Sequence, residues 1–412
     1  MTELFKLMSV EQAWEAFKEH ISIPQIKAET LPIHQALGRV LAGDVISDVD
    51  VPGFGRSTMD GFAVRARDTF GASEAMPAML QITGEVFMGR DASAAVKPGS
   101  AVRIATGGML PEGADAVVMV EYTEELDSTT ILVNRPVAPG ENTVRRGEDI
   151  CAGQELIRAG TLIRPQEMGA MAGIGITACQ VVQKPSVGIL STGDEVVGPD
   201  QEPGPGQIRD INSVAIAGLV EESGGQAVRY GIIPDEFSRL EEVVKIAVQE
   251  TDIIIISGGS SVGSRDVTSA IINSLGDPGV LVHGVSVKPG KPTILGVVSG
   301  KPVIGLPGHP ASAMVLADIF LVPLVRAFCG LGFTPLQRRT VKAVIGRSMA
   351  SASGRKDYIR VTVREEDGKV TAEPVLGKSG LITTMVRADG VVVIPSEKEG
   401  LEAGEHVKVI LF

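Results

Sequence analysis

The sequence predicts a multidomain α/β-plus-β protein centred on a doubly wound, Rossmann-like α/β domain. Three observations carry this. At 412 residues the chain is long for one core, since domains usually hold about 100–200 residues each. From 186 to about 328, strand-like and helix-like stretches alternate, as they do where crossover helices wind a parallel sheet. On either side of that segment, short apolar runs alternate with Gly/Pro turns, the pattern of small β units.

Taken in order, residues 9–20 read as a helix, because Ser9 and Gln12 have capping-box spacing and Val10, Trp14 and Phe17 share a face. The stretch "LPIHQALGRVLAGDVISDVDVPGFGRSTMDGFAV" passes from a short helical piece into extended chain and then a Gly/Pro-punctuated loop. Residues 80–148 read as a small β-rich unit. In the α/β segment "SVGILST" is a strand, and "NSVAIAGLVEES" a helix with Asn212 at its N-cap and Gly224 near its end. "QAVRYGIIP" is a strand and "EFSRLEEVVKIAVQE" a helix. "DIIIIS" is a strand buried on both faces, as continuous β-branched runs are in parallel sheets. A helix follows from about Asp266, then "VLVHGVSV", two strands around "VVSGKPVIGL", and a long helix from near Pro310. Beyond "CGLGFTPLQ" the pattern is β again, with a hairpin signal at Asp367-Gly368 and a closing strand "EHVKVILF".

Composition narrows the class. A net charge of -12 argues against a general nucleic-acid binder, which would present a basic face. Cys151, Cys179 and Cys329 are far apart and form no metal pattern, so they read as reduced and structural. The start lacks an apolar signal core, and no apolar run reads as long enough to span a bilayer. A cytoplasmic protein is expected.

Ligands of an open α/β sheet bind beyond the carboxyl ends of its strands, and two glycine-serine loops sit there, "STGDE" at 191–195 and "SGGSSVGSRD" at 257–266. Such loops let backbone amides approach phosphate oxygens, and the following helix N-terminus favours an anion. Neither has P-loop or dinucleotide spacing, so each is also compatible with a structural turn. Glu195, Asp235 and Asp266 fall at strand-to-helix transitions on the same edge. They either cap helices or share a Mg²⁺ with phosphate. Lys288 and Lys291 flank a rigid turn in "SVKPGKP", suited to an oxyanion or simply solvated. "GLPGHPAS" restrains a turn before a helix, with His309 reading as a structural or rim residue.

Assembled in this order, the motifs resemble the molybdopterin molybdenumtransferase family, often called MoeA, whose eukaryotic relatives include the gephyrin E domain. The carriers are "DVPGFGRSTMDGFAV", "RIATGGMLPEGADAVV", "RRGEDI", "STGDE", "GQIRDINS", "SGGSSVGSRD", "KPGKP" and "GLPGHPAS", with "GRKDYIRV" and "GKSGLITTM" in the last domain. The resemblance implies insertion of molybdate into the dithiolene of adenylylated molybdopterin, with Mg²⁺-dependent release of AMP. It implies catalytic roles for Asp60, Thr106, Glu195, Asp235 and Asp266, the last being the Mg²⁺-linked acid. Thr192, Gly193, Asp194, Asn212, Ser257, Gly258, Gly259, Gly263, Pro307 and Pro310 would bind the nucleotide substrate. Lys288, Lys291, Ser312, Arg360 and Ser379 would bind molybdate, and Glu148 and Asp149 are further functional acids. Two departures are His309, where Asn is common, and Arg56 and Thr58 near Asp60.

The resemblance further implies a molybdopterin-binding α/β domain at 8–27 and 179–328, and a small connecting domain at 28–50 and 150–178. A β-rich domain at 51–149 would be inserted between its halves, and a β-barrel-like domain would cover 329–412. A homodimer is implied, in which the β-rich unit of one subunit completes the cleft of the other, with a molybdopterin adenylyltransferase as upstream partner. Two alternatives compete: a molybdopterin adenylyltransferase, which the extra β domains disfavour, and a gephyrin-like scaffold, for which no added module is present. Molybdate and tungstate are not separable from sequence.

Overall fold

A computed structural model describes residues 7–258 and 262–412, with the side chains of 262–266 outside the description. The chain divides into two compact units, residues 30–181 and the remainder.

In the larger unit the elements are α1 (Val10–Lys18), β1 (Ser186–Thr192), α2 (Asn212–Glu222), β2 (Gln226–Ile233), α3 (Phe237–Glu250) and β3 (Ile253–Gly258). They continue with α4 (Val262–Ser274), β4 (Pro278–His283), β5 (Ile294–Val298), β6 (Lys301–Leu306) and α5 (Pro310–Leu316). Sheet order is β2-β1-β3-β6-β5-β4. The first four strands are parallel, and the chain crosses from β2 to the far side of β1, so the switch point lies between β1 and β3. Strand β3 is the four-isoleucine run, and Ile253 through Ser257 are all buried. That follows from helices covering both faces of a parallel core.

The other edge of the sheet is antiparallel. Strands β5 and β6 form an antiparallel hairpin, and β4 pairs antiparallel with β5. The turn at Ser299 (φ 52°) and Gly300 (φ 80°) has the two positive φ values of a tight hairpin connection. Helix α4 starts at Val262 rather than near Asp266. Gly263 and Ser264 have low helix propensity and mask the start, and tertiary context overrides it.

Helix α1 has the expected capping box between Ser9 and Gln12. Its Trp14 ring lies 5.5 Å from Phe320 and 5.7 Å from Phe333, so α1 is fastened by aromatic packing. Helical structure from Pro310 to Phe328 contains a π turn at Ala317–Leu321 just before Pro323, whose missing N–H removes a helical hydrogen bond. This 19-residue stretch, with mean hydropathy 1.8, meets the length and composition for a membrane span, contrary to the sequence reading. Most of it is buried inside the unit (78%), as in a core helix.

The rest of this unit is a closed barrel. Strand Lys356–Glu366 pairs with Lys369–Pro374, then Thr340–Ile345, His406–Leu411 and Gly390–Ile394, which returns to Lys356–Glu366. Asp367 (φ 52°) and Gly368 (φ 74°) make the hairpin turn. Val287 and Lys288 add a short parallel strand beside Lys356 and Asp357, so the lysine turn is stitched to the barrel.

The smaller unit carries a six-stranded sheet in the spatial order Ala116–Met119, Gly61–Val64, Ser100–Ile104, Ala78–Val86, Thr130–Val133, Thr123–Asp127. Its core includes Phe62, Val118 and Ile131. A separate apolar cluster draws Leu41 and Val45 together with Ile163, Met171 and Val181.

Candidate active site

Two cavities occur side by side in the larger unit. The smaller, about 270 Å³, lies at the carboxyl ends of β1 and β3, at the switch point. Thr192, Glu195, Asn212, Ser257, Gly258 and Pro310 line it, which brings both ends of the nucleotide set together. Backbones approach closely here: a Cβ on Gly258 (φ 153°) would lie 2.1 Å from the Thr192 carbonyl oxygen, so glycine is required.

Asn212 does not cap its helix. Its Nδ2 donates to Ser257 Oγ at 2.9 Å and to the Gly308 carbonyl at 3.0 Å, tying the end of β3 to the 307–310 turn. Its Oδ1 is buried with no partner among the described residues, an acceptor left for a ligand donor. The capping falls to Asp210, which sequence reasoning missed as a site residue. Asp210 Oδ1 accepts from the Ser213 N–H at 3.1 Å and its Oδ2 accepts from Ser191 Oγ at 2.7 Å. The available signal was an aspartate just ahead of the helix in "GQIRDINS".

The acids are partly assembled. Thr192 Oγ1 donates to Asp235, and the Asp235 N–H donates to Asp194 Oδ1 at 3.2 Å, so the ends of β1 and β2 are joined. Glu195 is exposed at the cavity wall. Gly193 (φ 143°) leaves room for that loop, because a Cβ there would meet Glu195 Oε2 at 2.8 Å. The Asp266 side chain and Gly259 lie outside the described residues, and Gly263 sits in the first turn of α4.

The larger cavity, about 700 Å³, gathers all five residues of the expected molybdate set: Lys288, Lys291, Ser312, Arg360 and Ser379. Pro307 and His309 also line it, and His309 reaches the smaller cavity too, so the 307–310 turn is the shared wall. Ser312 is buried in the first turn of α5, and the Ala311 N–H donates to the Ser379 carbonyl at 3.1 Å. Arg360 has buried Nε and Nη1 atoms with no hydrogen-bond partner among the described residues, and burial lowers its pKa. Unpaired buried guanidinium nitrogens are costly unless an anion meets them.

Sequence reasoning also missed Asp357, a fully buried carboxylate (0% exposed) in "GRKDYIRV". It accepts from Arg355 Nε at 2.8 Å and lies 3.6 Å from Lys288 Nζ, fixing both cations on the cavity wall. Lys378 and Arg355 add further positive charge to the lining.

In the smaller unit Asp60 and Thr106 do meet: Asp60 Oδ1 accepts from the Thr106 N–H at 2.7 Å and from its hydroxyl at 2.9 Å. The backbone hydrogen bond, then the hydroxyl, holds the Asp60 pKa below the ordinary carboxylate value. Glu148 accepts from the Arg145 N–H at 2.8 Å and lines an open cleft with Arg145 and Arg146. The Asp149 N–H donates to the Val51 carbonyl at 3.0 Å, a structural contact of its backbone.

Among known proteins, three family models match. Residues 8–175 match the "MoeA N-terminal region (domain I and II)", 188–327 the "Probable molybdopterin binding domain", and 342–412 the "MoeA C-terminal region (domain IV)". A molybdopterin biosynthesis protein of Methanocaldococcus jannaschii is 36% identical, over 99% of this chain and 98% of its own length. The molybdopterin molybdenumtransferase of Bacillus subtilis is 34% identical, over 94% of this chain and 90% of its own. The crystal structure of a molybdopterin biosynthesis MoeA protein from Pyrococcus horikoshii superposes with a TM-score of 0.84 at 32% identity, covering 99% of this chain and 100% of that one.

Proposed function

The chain belongs to the MoeA family of transferases in molybdenum cofactor biosynthesis, and we propose that it inserts molybdate into the dithiolene of adenylylated molybdopterin and releases AMP. The observation that carries this reading is the convergence of Lys288, Lys291, Ser312, Arg360 and Ser379 on one cavity that shares the 307–310 turn with the loop cavity. Cations and N–H donors suit a tetrahedral dianion. The neighbouring glycine-lined loops, with the unpartnered Asn212 Oδ1, suit a nucleotide. Two dithiolene S–H groups displace one oxygen of molybdate, which leaves as water carrying their two protons, and water attacks the phosphoanhydride so that one P–O bond forms as the other breaks and AMP leaves. Lys288 and Lys291 offset the oxyanion charge, Arg360 donates to it, and Asn212 with Thr192 orients the nucleotide end.

Mg²⁺ fits this arrangement as a shared ion. Among the described residues no three His, Cys, Asp or Glu side chains converge into a cage. Mg²⁺ characteristically takes one or two carboxylates and completes its shell with phosphate oxygens and water. Asp266 is the proposed ligand, with Glu195 and Asp235 nearby, and the bound ion offsets phosphate charge. Asp60, Thr106, Glu148 and Asp149 enter this reading through the family resemblance alone. The four-part domain division belongs to the proposal too, supported by separate apolar clusters for the β-rich, connecting and barrel segments. A cytoplasmic homodimer fed by a molybdopterin adenylyltransferase completes it.

The test is AMP release by the purified protein from adenylylated molybdopterin and Mg²⁺, with and without molybdate. The proposal expects release that requires molybdate and is abolished in Asp266→Asn. Substrate binding without release in any condition would refute the transferase chemistry proposed here.

A further inference from the structure

A third cavity of about 420 Å³ lies in the larger unit, walled by α2, the helix starting at Pro310, and the barrel. Leu219, Met314, Val315, Val391, Val393 and Phe412 make it mostly apolar. Four charged side chains interrupt that lining: Glu222, Asp318, Arg338 and Arg360. Asp318 Oδ1 accepts from Arg338 Nη1 at 2.9 Å, so those two charges offset each other. Even so, Arg338 Nε is buried without a partner among the described residues, and so are Nε and Nη1 of Arg360. No carboxylate of the described residues forms an ion pair with Arg360, which leaves its positive charge uncompensated at the boundary of an apolar space. Buried guanidinium N–H groups without acceptors are destabilising, and a ligand carboxylate is the geometry they match best. The volume falls in the range of small-molecule sites, roughly 300–1,000 Å³.

We infer that this cavity binds a small organic carboxylate with an apolar body, its oxygens on Arg360 and Arg338 and its body against the α2 and barrel walls. Arg360 also lines the 700 Å³ cavity. A carboxylate that engages Arg360 therefore weakens oxyanion binding next door, and the oxyanion weakens the carboxylate by the same factor. This coupling rests on the oxyanion reading above; carboxylate binding does not.

Decanoate and decanol, which differ at one end only, are the probes. Calorimetric titration of the full-length protein should give saturable one-to-one decanoate binding, tighter than decanol by about tenfold or more, as a charge-assisted hydrogen bond allows. Gly218 lines the cavity, and a Cβ there would meet nothing within 4 Å. Gly218→Leu should fill the space and abolish decanoate binding, with the unfolding temperature unchanged or raised because leucine favours the helix. Absent decanoate binding, equal binding of decanol, or undiminished binding in Gly218→Leu would each overturn the site. Molybdate titrated into decanoate-saturated protein should bind several-fold more weakly, and unchanged affinity would overturn the coupling. Decanoate binding by a protein that takes no molybdate would instead overturn the oxyanion reading and leave this site standing.

Discussion

Gly258→Ala tests the packing that shapes the proposed nucleotide cavity. Gly258 sits opposite Thr192 in the β1–β3 register, with φ of 153°. An added Cβ would lie 2.1 Å from the Thr192 carbonyl oxygen and 2.6 Å from its Cγ2. The first distance is more than about 1 Å inside ordinary contact, and the obstacle is backbone, so no rotamer change relieves it. Backbone strain at such a φ costs about 1–3 kcal/mol, and forced overpacking adds about 1–3 kcal/mol. A loss of about 4 kcal/mol is expected in urea unfolding followed by circular dichroism. AMP affinity should fall as well, because parting β1 from β3 displaces Thr192 and Ser257 together. Gly404→Ala is the control: its φ is 93° but nothing lies within 4 Å of the added atom, so it carries the strain alone. If Gly258→Ala loses no more than Gly404→Ala, the close approach is not what requires glycine.

Asn212→Ala removes the bridge between the end of β3 and the 307–310 turn together with the unpartnered acceptor. It should weaken AMP binding by about tenfold, the worth of one or two lost hydrogen bonds, and leave molybdate affinity alone; calorimetry with each ligand separates the two. Asp357→Asn keeps the shape but discards the charge held by Arg355 and Lys288. Both partners are partly exposed (35% and 53%), so water recovers part of the interaction. The expected stability loss is therefore only about 1–2 kcal/mol, and a neutral result in urea unfolding would remove Asp357 from the account. The depressed Asp60 pKa gives a contribution present above the unfolded carboxylate value and lost as pH falls through the lower folded value. Protection of the Thr106 amide from hydrogen exchange, corrected for intrinsic rate, should fall in that acid window in wild type and already be absent in Asp60→Ala, which has no acceptor there. Protection that is the same in both proteins would contradict the assignment.

The α/β rhythm was legible because burial on both faces leaves a run such as the four isoleucines of β3, and helices such as α3 keep their amphipathic spacing between strands. The glycine-serine loop after β1 was legible for the same reason, as punctuation at a strand end. The start of α4 was not, since Gly263 and Ser264 have low helix propensity and read as loop residues. Asn212 was misread for a more general reason. Asn and Asp both suit helix caps, and only the tertiary structure shows that Asp210 takes that role and frees Asn212 to reach Ser257 and Gly308. Asp357 was invisible as a site residue because its partner Lys288 is remote in sequence, and their meeting depends on a two-residue strand joining the barrel. The five proposed oxyanion residues came from four separate motifs, and their convergence on one cavity is a property of the fold alone.

The central claim is a division of labour, with oxyanion held at the lysine turn and nucleotide at the switch point. The most direct measurement is paired calorimetry on Lys288→Ala/Lys291→Ala, with molybdate in one titration and AMP in the other. The account predicts that molybdate affinity falls by tenfold or more, about 1.4 kcal/mol at least, while AMP affinity stays at the wild-type value. Loss of AMP binding with molybdate binding intact would contradict it and assign the lysine turn to the phosphates.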